Sequence, residues 1–193
     1  MQDQADTNHA ARRFLFLQGP HGPFYSRLAA LLRRAGQSCE RVGFNRGDQF
    51  FWDGPGYHAF RDRPEAWPDY CAALLQERAI TDLVLYGCTR PIHAEAIRIA
   101  QVMSIRIHVF EEGYLRPYWL TYERDGSNGN SRLMDISLSE MKRALDNPGA
   151  QQPNAPARWG DLRQHMFYGA LYHFLVMALN GGYRNFRPHR GLN

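Results

Sequence analysis

A chain of 193 residues with 44% hydrophobic and 22% charged side chains carries enough apolar material for one sizeable core and is not a disordered tail. The formal net charge of +4 lies in the last segment, where Arg158, Arg163, Arg184, Arg187 and Arg190 stand against Asp161 alone, five minus one, so residues 1–150 are close to neutral. No Lys/Arg run with interleaved aromatics marks a nucleic-acid groove, and the bias to arginine, with Lys142 the only lysine, fits codon usage as well as a need for phosphate forks.

Cys39, Cys71 and Cys88 are odd in number, widely spaced and without a CxxC, so neither a disulfide framework nor a metal site is predicted and a reducing compartment is the simplest reading. The polar N-terminus, MQDQADTNHAARR, lacks the apolar stretch of a secretory signal, and a cytoplasmic protein is expected.

Along the chain, apolar runs of strand length alternate with helical patterns. RFLFLQ (13–18) is a strand; PFYSRLAALLRRAG (23–36) is a helix with Phe24, Leu28, Leu31, Leu32 and Ala35 on one face and Gly36 at its end. CERVGF (39–44) is a second strand, and a loop rich in Gly, Asp and aromatics spans 45–64. AWPDYCAALLQERA (66–79) is a helix, DLVLYG (82–87) a strand, PIHAEAIRIAQVM (91–103) a helix with Ile92, Ala96, Ile99 and Met103 in register, and IRIHVF (105–110) a strand. This alternation predicts an α/β fold with a Rossmann-like parallel sheet and flanking helices.

WLTYE (119–123) is one further strand, followed by the turn region DGSNGNS (125–131). SLSE (137–140) has the form of a capping box opening a helix to about Asp146. The domain reading is residues 1–12 disordered, 13–145 the Rossmann-like domain, 146–157 a linker with three prolines, and 158–193 a helical segment beginning a second domain. Its helix, about 162–180, has an apolar centre too short to span a bilayer comfortably.

In open parallel sheets ligands bind beyond the carboxyl ends of the strands, where loops converge and helix N-termini point inward. Four polar, glycine-marked stretches fall there: QGPHGPF (18–24), GFNRGDQFFW (43–52), YGCTRPIH (86–93) and EEGYLRP (111–117). No GxGxxG, P-loop or Ser-His-Asp motif is present, which lowers dinucleotide, NTPase and hydrolase readings.

From about residue 13 to 132 these four motifs resemble, in order and in strand context, the N-terminal half of the capsule polysaccharide biosynthesis proteins of the KpsS/LipB type. The resemblance implies the N-terminal, acceptor and catalytic half of a GT-B glycosyltransferase that moves β-linked Kdo from CMP-Kdo to a phosphatidylglycerol-type lipid. No cofactor beyond that donor is implied. Implied partners are the sugar nucleotide, the lipid acceptor, other capsule biosynthesis and export proteins and the inner-membrane surface, with peripheral association there. Family members are about twice this length, so the chain reads as a fragment or a truncated gene product. The family's third motif carries an acid after the glycine, where this chain has Cys88. A non-catalytic Rossmann-like binding or assembly module on the capsule machinery is the alternative.

In retaining transfer a protein carboxylate attacks the anomeric carbon and the acceptor then displaces it. The related Kdo transferase modules make the second acid of the motif the nucleophile, which by position is Glu112. Glu111 would hold the turn or raise its neighbour's pKa, since successive strand side chains point to opposite faces. His93 is the candidate acid, base or cap. Arg116 and Arg90 suit a sugar carboxylate or phosphate, with a structural ion pair the rival for Arg116. Asn45 and Asp48 orient acceptor hydroxyls or make a turn, and Gln18, Gly19 and Gly22 let backbone approach a ligand. Trp52, Trp67 and Tyr114 read as packing before sugar stacking.

Overall fold

The computed structural model describes residues 11–113, 119–146, 162–179 and 181–184. Strands β1 (Arg13–Phe16), β2 (Ser38–Gly43), β3 (Tyr57–Ala59), β4 (Asp82–Tyr86), β5 (Arg106–Glu112) and β6 (Leu120–Arg124) form one sheet in the order β3-β2-β1-β4-β5-β6. The first five run parallel; β6 returns antiparallel to β5, with Val109 opposite Glu123 and Glu112 opposite Leu120. Helices α1 (Phe24–Arg34), α2 (Arg46–Phe50), α3 (Trp67–Glu77), α4 (Pro91–Val102), α5 (Leu138–Asp146) and α6 (Leu162–Met177), with short 3₁₀ turns at Pro64–Ala66, Asn128–Asn130 and Arg132–Asp135, complete the described elements.

The parallel strands are apolar on both faces because helices cover both. On one face Leu15, Leu17, Val42, Leu83, Leu85, Ile107 and Val109 pack against Trp67, Leu74 and Leu75 of α3 and Ile92, Ala96 and Ile99 of α4. On the other Phe14, Phe16 and Val84 pack against Tyr25 and Ala29 of α1, with Trp52 closing the cluster. Trp52 and Trp67 are thus core residues, and the Trp67 indole donates to the Ile92 carbonyl at 2.9 Å.

Of the predicted stripe of α1, Phe24, Leu28 and Leu32 pack partly buried against the Phe16 cluster. Leu31 is 55% exposed and Ala35 is exposed, while Tyr25, Ser26 and Ala29 are buried. The Tyr25 ring meets Phe16 edge-on at 5.0 Å and lies so close under Gly19 that a Cβ there would fall 2.5 Å from it.

The stretch predicted as a loop, 45–64, contains α2 and β3. Asn45 caps α2 by accepting from the Asp48 N–H at 2.8 Å. Strand β5 also runs two residues further than its apolar pattern, so both acids of the EEG motif are strand residues. The capping box is present: Ser137 Oγ accepts from the Glu140 N–H at 3.3 Å, and the Glu140 carboxylate accepts from the Ser137 N–H at 2.9 Å. Most of the predicted linker lies outside the described residues. Helix α6 packs on α2, burying Tyr172 and Val176 against Phe51.

Candidate functional site

The strand order reverses between β1 and β4, and ligands of such sheets sit in the crevice beyond those two strand ends. Leu17 is still paired, its N–H donating to the Val84 carbonyl at 2.9 Å, so Gln18 is the first residue free of the sheet. Arg90, at the cap of α4, reaches across the crevice and donates to Gln18 Oε1 at 2.9 Å. The head of the exposed Arg90 is therefore held at the switch point, at the N-terminal end of α4. Beneath them the Tyr25 hydroxyl is buried without a hydrogen-bond partner, and burial pushes its pKa well above the ordinary value.

The β4–α4 loop is built around Gly87, whose φ of +74° is left-handed and favours glycine. Its N–H donates to the Phe110 carbonyl at 2.8 Å and its carbonyl accepts from His93 Nδ1 at 2.9 Å. That bond fixes the His93 tautomer and leaves Nε2 as a buried acceptor with no partner. Burial, aided by the Arg90 charge, lowers the His93 pKa to about 3. The ring is fully buried and, through its bond to the Gly87 carbonyl, holds the loop.

Strand alternation separates the two acids. Glu111 follows Ile107 and Val109 onto the α4 face, where Ser127 Oγ donates to its Oε2 at 2.8 Å. Glu112 follows His108 and Phe110 onto the α1 face; Phe110 meets the ring of Phe24, the first residue of α1, at 5.4 Å. Glu112 therefore lies on the side from which the 18–23 loop enters α1, and it is half-buried. Gly113 closes the hairpin by donating to the Trp119 carbonyl at 3.0 Å; a Cβ at 113 would stand 2.3 Å from that oxygen, which is why glycine follows the acids. Tyr114 and Arg116 lie outside the described residues.

The β2–α2 loop turns inward. Asp48 is fully buried, accepting from Arg41 Nη2 at 3.1 Å, the Phe44 N–H at 3.0 Å and the Tyr172 hydroxyl at 3.0 Å. Asn45 Nδ2 donates to the Tyr172 oxygen at 2.7 Å, and Gln18 Nε2 reaches the same oxygen at 3.5 Å. Asn45 and Asp48 thus serve as cap and buried ion pair, and through Tyr172 they join the Gln18–Arg90 pair. Gly19 and Gly22 likewise meet protein: Gly19 the Tyr25 ring, Gly22, at φ +106°, the Tyr168 ring of α6.

Sequence reading passed over Arg41, Ser127 and Tyr172. Ser127 and Tyr172 lie far along the chain from the motifs they bond, and an arginine inside a strand pattern gives no sign of its burial. Among the described residues no three His, Cys, Asp or Glu side chains gather where they could hold a metal ion.

Fold and site define a Rossmann-like α/β domain with a polar crevice at its switch point and two acids ending the next strand. Residues 81–160 match the family model described as capsule polysaccharide biosynthesis protein. The chain is 38% identical over 124 residues to the capsule polysaccharide export protein KpsS of Escherichia coli, covering 64% of this chain and 32% of that protein. It is 39% identical over 126 residues to the capsule polysaccharide modification protein LipB of Neisseria meningitidis serogroup A, covering 64% of this chain and 30% of that protein. The resemblance to capsule polysaccharide proteins of the KpsS and LipB type therefore extends well beyond four motifs, and it runs along the N-terminal part of those proteins. The chain spans about a third of the length of the curated relatives it matches. No solved structure matches.

Proposed function

We propose that this domain is the acceptor and catalytic half of a retaining β-Kdo transferase of capsule polysaccharide biosynthesis, taking Kdo from CMP-Kdo to a phosphatidylglycerol-type lipid. The observation that carries the reading is the crevice between β1 and β4, where Arg90 clasps Gln18 while Glu112 ends the neighbouring strand on the α1 face. Glu112 attacks the anomeric carbon, the C–O bond to CMP breaks with its electron pair going to the phosphate, and the lipid hydroxyl then displaces the carboxylate with loss of its proton. Arg90 and Arg116 bind the sugar carboxylate or the phosphate, a guanidinium matching either bidentately. His93 holds the loop that carries Arg90, and Asn45 and Asp48 shape the crevice floor through Tyr172. A second, sugar-nucleotide half completes the cleft. The work is done at an inner-membrane surface, alongside other capsule biosynthesis and export proteins.

The test compares Glu112→Gln and Glu111→Gln in a protein that joins this domain to a sugar-nucleotide half. With CMP-Kdo and no acceptor, mass spectrometry of the wild type finds a Kdo adduct on Glu112. Glu112→Gln abolishes the adduct and lowers kcat by several powers of ten, each worth about 1.36 kcal/mol of barrier, whereas Glu111→Gln is milder. An adduct on another loop, or wild-type turnover in Glu112→Gln, refutes the assignment. CMP-Kdo binding without turnover in the wild type favours the binding-module reading.

A further inference from the structure

Three loops meet at Glu111. Ser127 is 1% exposed and comes from the turn after β6; its hydroxyl donates to Glu111 Oε2 at 2.8 Å. Having one proton to give, it faces its neighbours as an acceptor. The neighbour is Cys88 of the β4–α4 loop, whose sulfur stands 3.5 Å from Ser127 Oγ and 3.6 Å from the Ser127 carbonyl. Asn130 Nδ2 in turn donates to that sulfur at 3.4 Å. The donors run in one direction, Asn130 to Cys88 to Ser127 to Glu111, and such chains polarise one another toward the terminal carboxylate. Burial alone would raise the Cys88 pKa, yet the Asn130 and Ser127 contacts bring it below its ordinary value.

The turn that supplies Ser127 and Asn130 is built tightly. Asp125 at φ +72° and Asn128 at φ +53° are both left-handed without being glycine. At Gly126 a Cβ would lie 2.2 Å from the Asn130 carbonyl oxygen. Held in this way, the turn projects the Ser127 hydroxyl onto the α4 face of the sheet.

We propose that Ser127 is a positioning residue: by tying Glu111 to the α4 face it sets the pleat at the end of β5 and holds Glu112 toward the crevice on the α1 face. Adjacent strand residues share one backbone, so fixing one side chain on its face fixes the direction of the next. The role rests on the reading of Glu112 as the reacting carboxylate, but its structural half can be measured without any sugar.

The experiment labels carboxylates of the folded chain with a water-soluble carbodiimide and an amine, reading Glu111 and Glu112 separately by peptide mass spectrometry in wild type, Ser127→Ala and Ser127→Thr. In Ser127→Ala, Glu111 labels about fivefold faster, the equivalent of one hydrogen bond, and the Glu112 rate shifts with it. Ser127→Thr keeps the hydroxyl and restores both rates. Unchanged Glu111 labelling in Ser127→Ala overturns the tie; changed Glu111 with unchanged Glu112 overturns the positioning. If Ser127→Ala does not fold, judged by the reactivity of the buried thiols Cys39 and Cys71, Asn130→Ala removes only the outermost donor and gives the same pattern at smaller amplitude. Joined to a sugar-nucleotide half, Ser127→Ala lowers kcat with KM unchanged and Ser127→Thr recovers it. Absence of any Kdo adduct in the wild type removes the transferase reading while the labelling still decides the tie.

Discussion

The tyrosine that anchors α6 gives the sharpest test of how the crevice floor is assembled. In Tyr172→Phe the ring still fills its place against Phe51 and Val176, so the loss is confined to one oxygen. That oxygen donates to the buried Asp48 carboxylate at 3.0 Å and accepts from Asn45 Nδ2 at 2.7 Å. Asp48 keeps Arg41 and the Phe44 N–H, whereas Asn45 is left with an unpaired buried amide proton. A hydrogen bond to a charged group contributes about 1.5–3 kcal/mol and an orphaned buried donor costs about 1–3 kcal/mol, so with partial relaxation the substitution should cost about 2–4 kcal/mol. At a urea slope of about 2 kcal/mol/M that is a midpoint lowered by about 1–2 M. Urea titration followed by circular dichroism measures it, and amide hydrogen exchange separates global unfolding from release of α6 alone. A loss below about 0.5 kcal/mol, with exchange in α6 unchanged, would show that the phenol oxygen does not pin the helix and that the link from Asp48 to Gln18 is incidental.

Two further outcomes follow from the same geometry. The His93 pKa lies near 3 in the fold against 6.5 for an ordinary histidine, so its neutral ring contributes stability that is complete above pH 6.5 and is lost as pH falls toward 3. The loss should run at about 1.4 kcal/mol per pH unit in that window, measured as the difference between wild type and His93→Gln so that Asp82, whose carboxyl is held low by His108, Arg12, Thr81 and Arg106 despite its burial, cancels; parallel stability–pH curves would refute it. Helix α6 presents Met166, Phe167, Phe174 and Met177 to solvent at 55–73% exposure on the side opposite Tyr172, in a segment whose sequence carries five arginines against one acid, and the chain should float with anionic vesicles while Phe167→Ser/Phe174→Ser stays behind; equal flotation of both removes α6 from the membrane account.

Among the described residues no helix is long and apolar enough to cross a membrane.

The alternating β/α order was legible in the sequence because each element of the main sheet carries its own period: apolar runs in β1, β2, β4 and β5, a helical stripe in α3 and α4, proline at the first position of α4. The parallel sheet, the four glycine-marked loops at its carboxyl edge and the capsule-protein likeness all followed from such local signals. Short elements were not legible, since α2 has five residues and β3 three, too few for a period to register. The fate of polar side chains was not legible either. Whether Asp48 meets solvent or Arg41, whether His93 titrates or stays neutral, and which face each of two adjacent acids occupies depend on residues far along the chain: Tyr172 beside Asn45, Ser127 beside Glu111. Periodicity reports what a segment wants to bury, but the partner of a buried polar group is chosen by packing between segments, and only the tertiary structure brings those segments together.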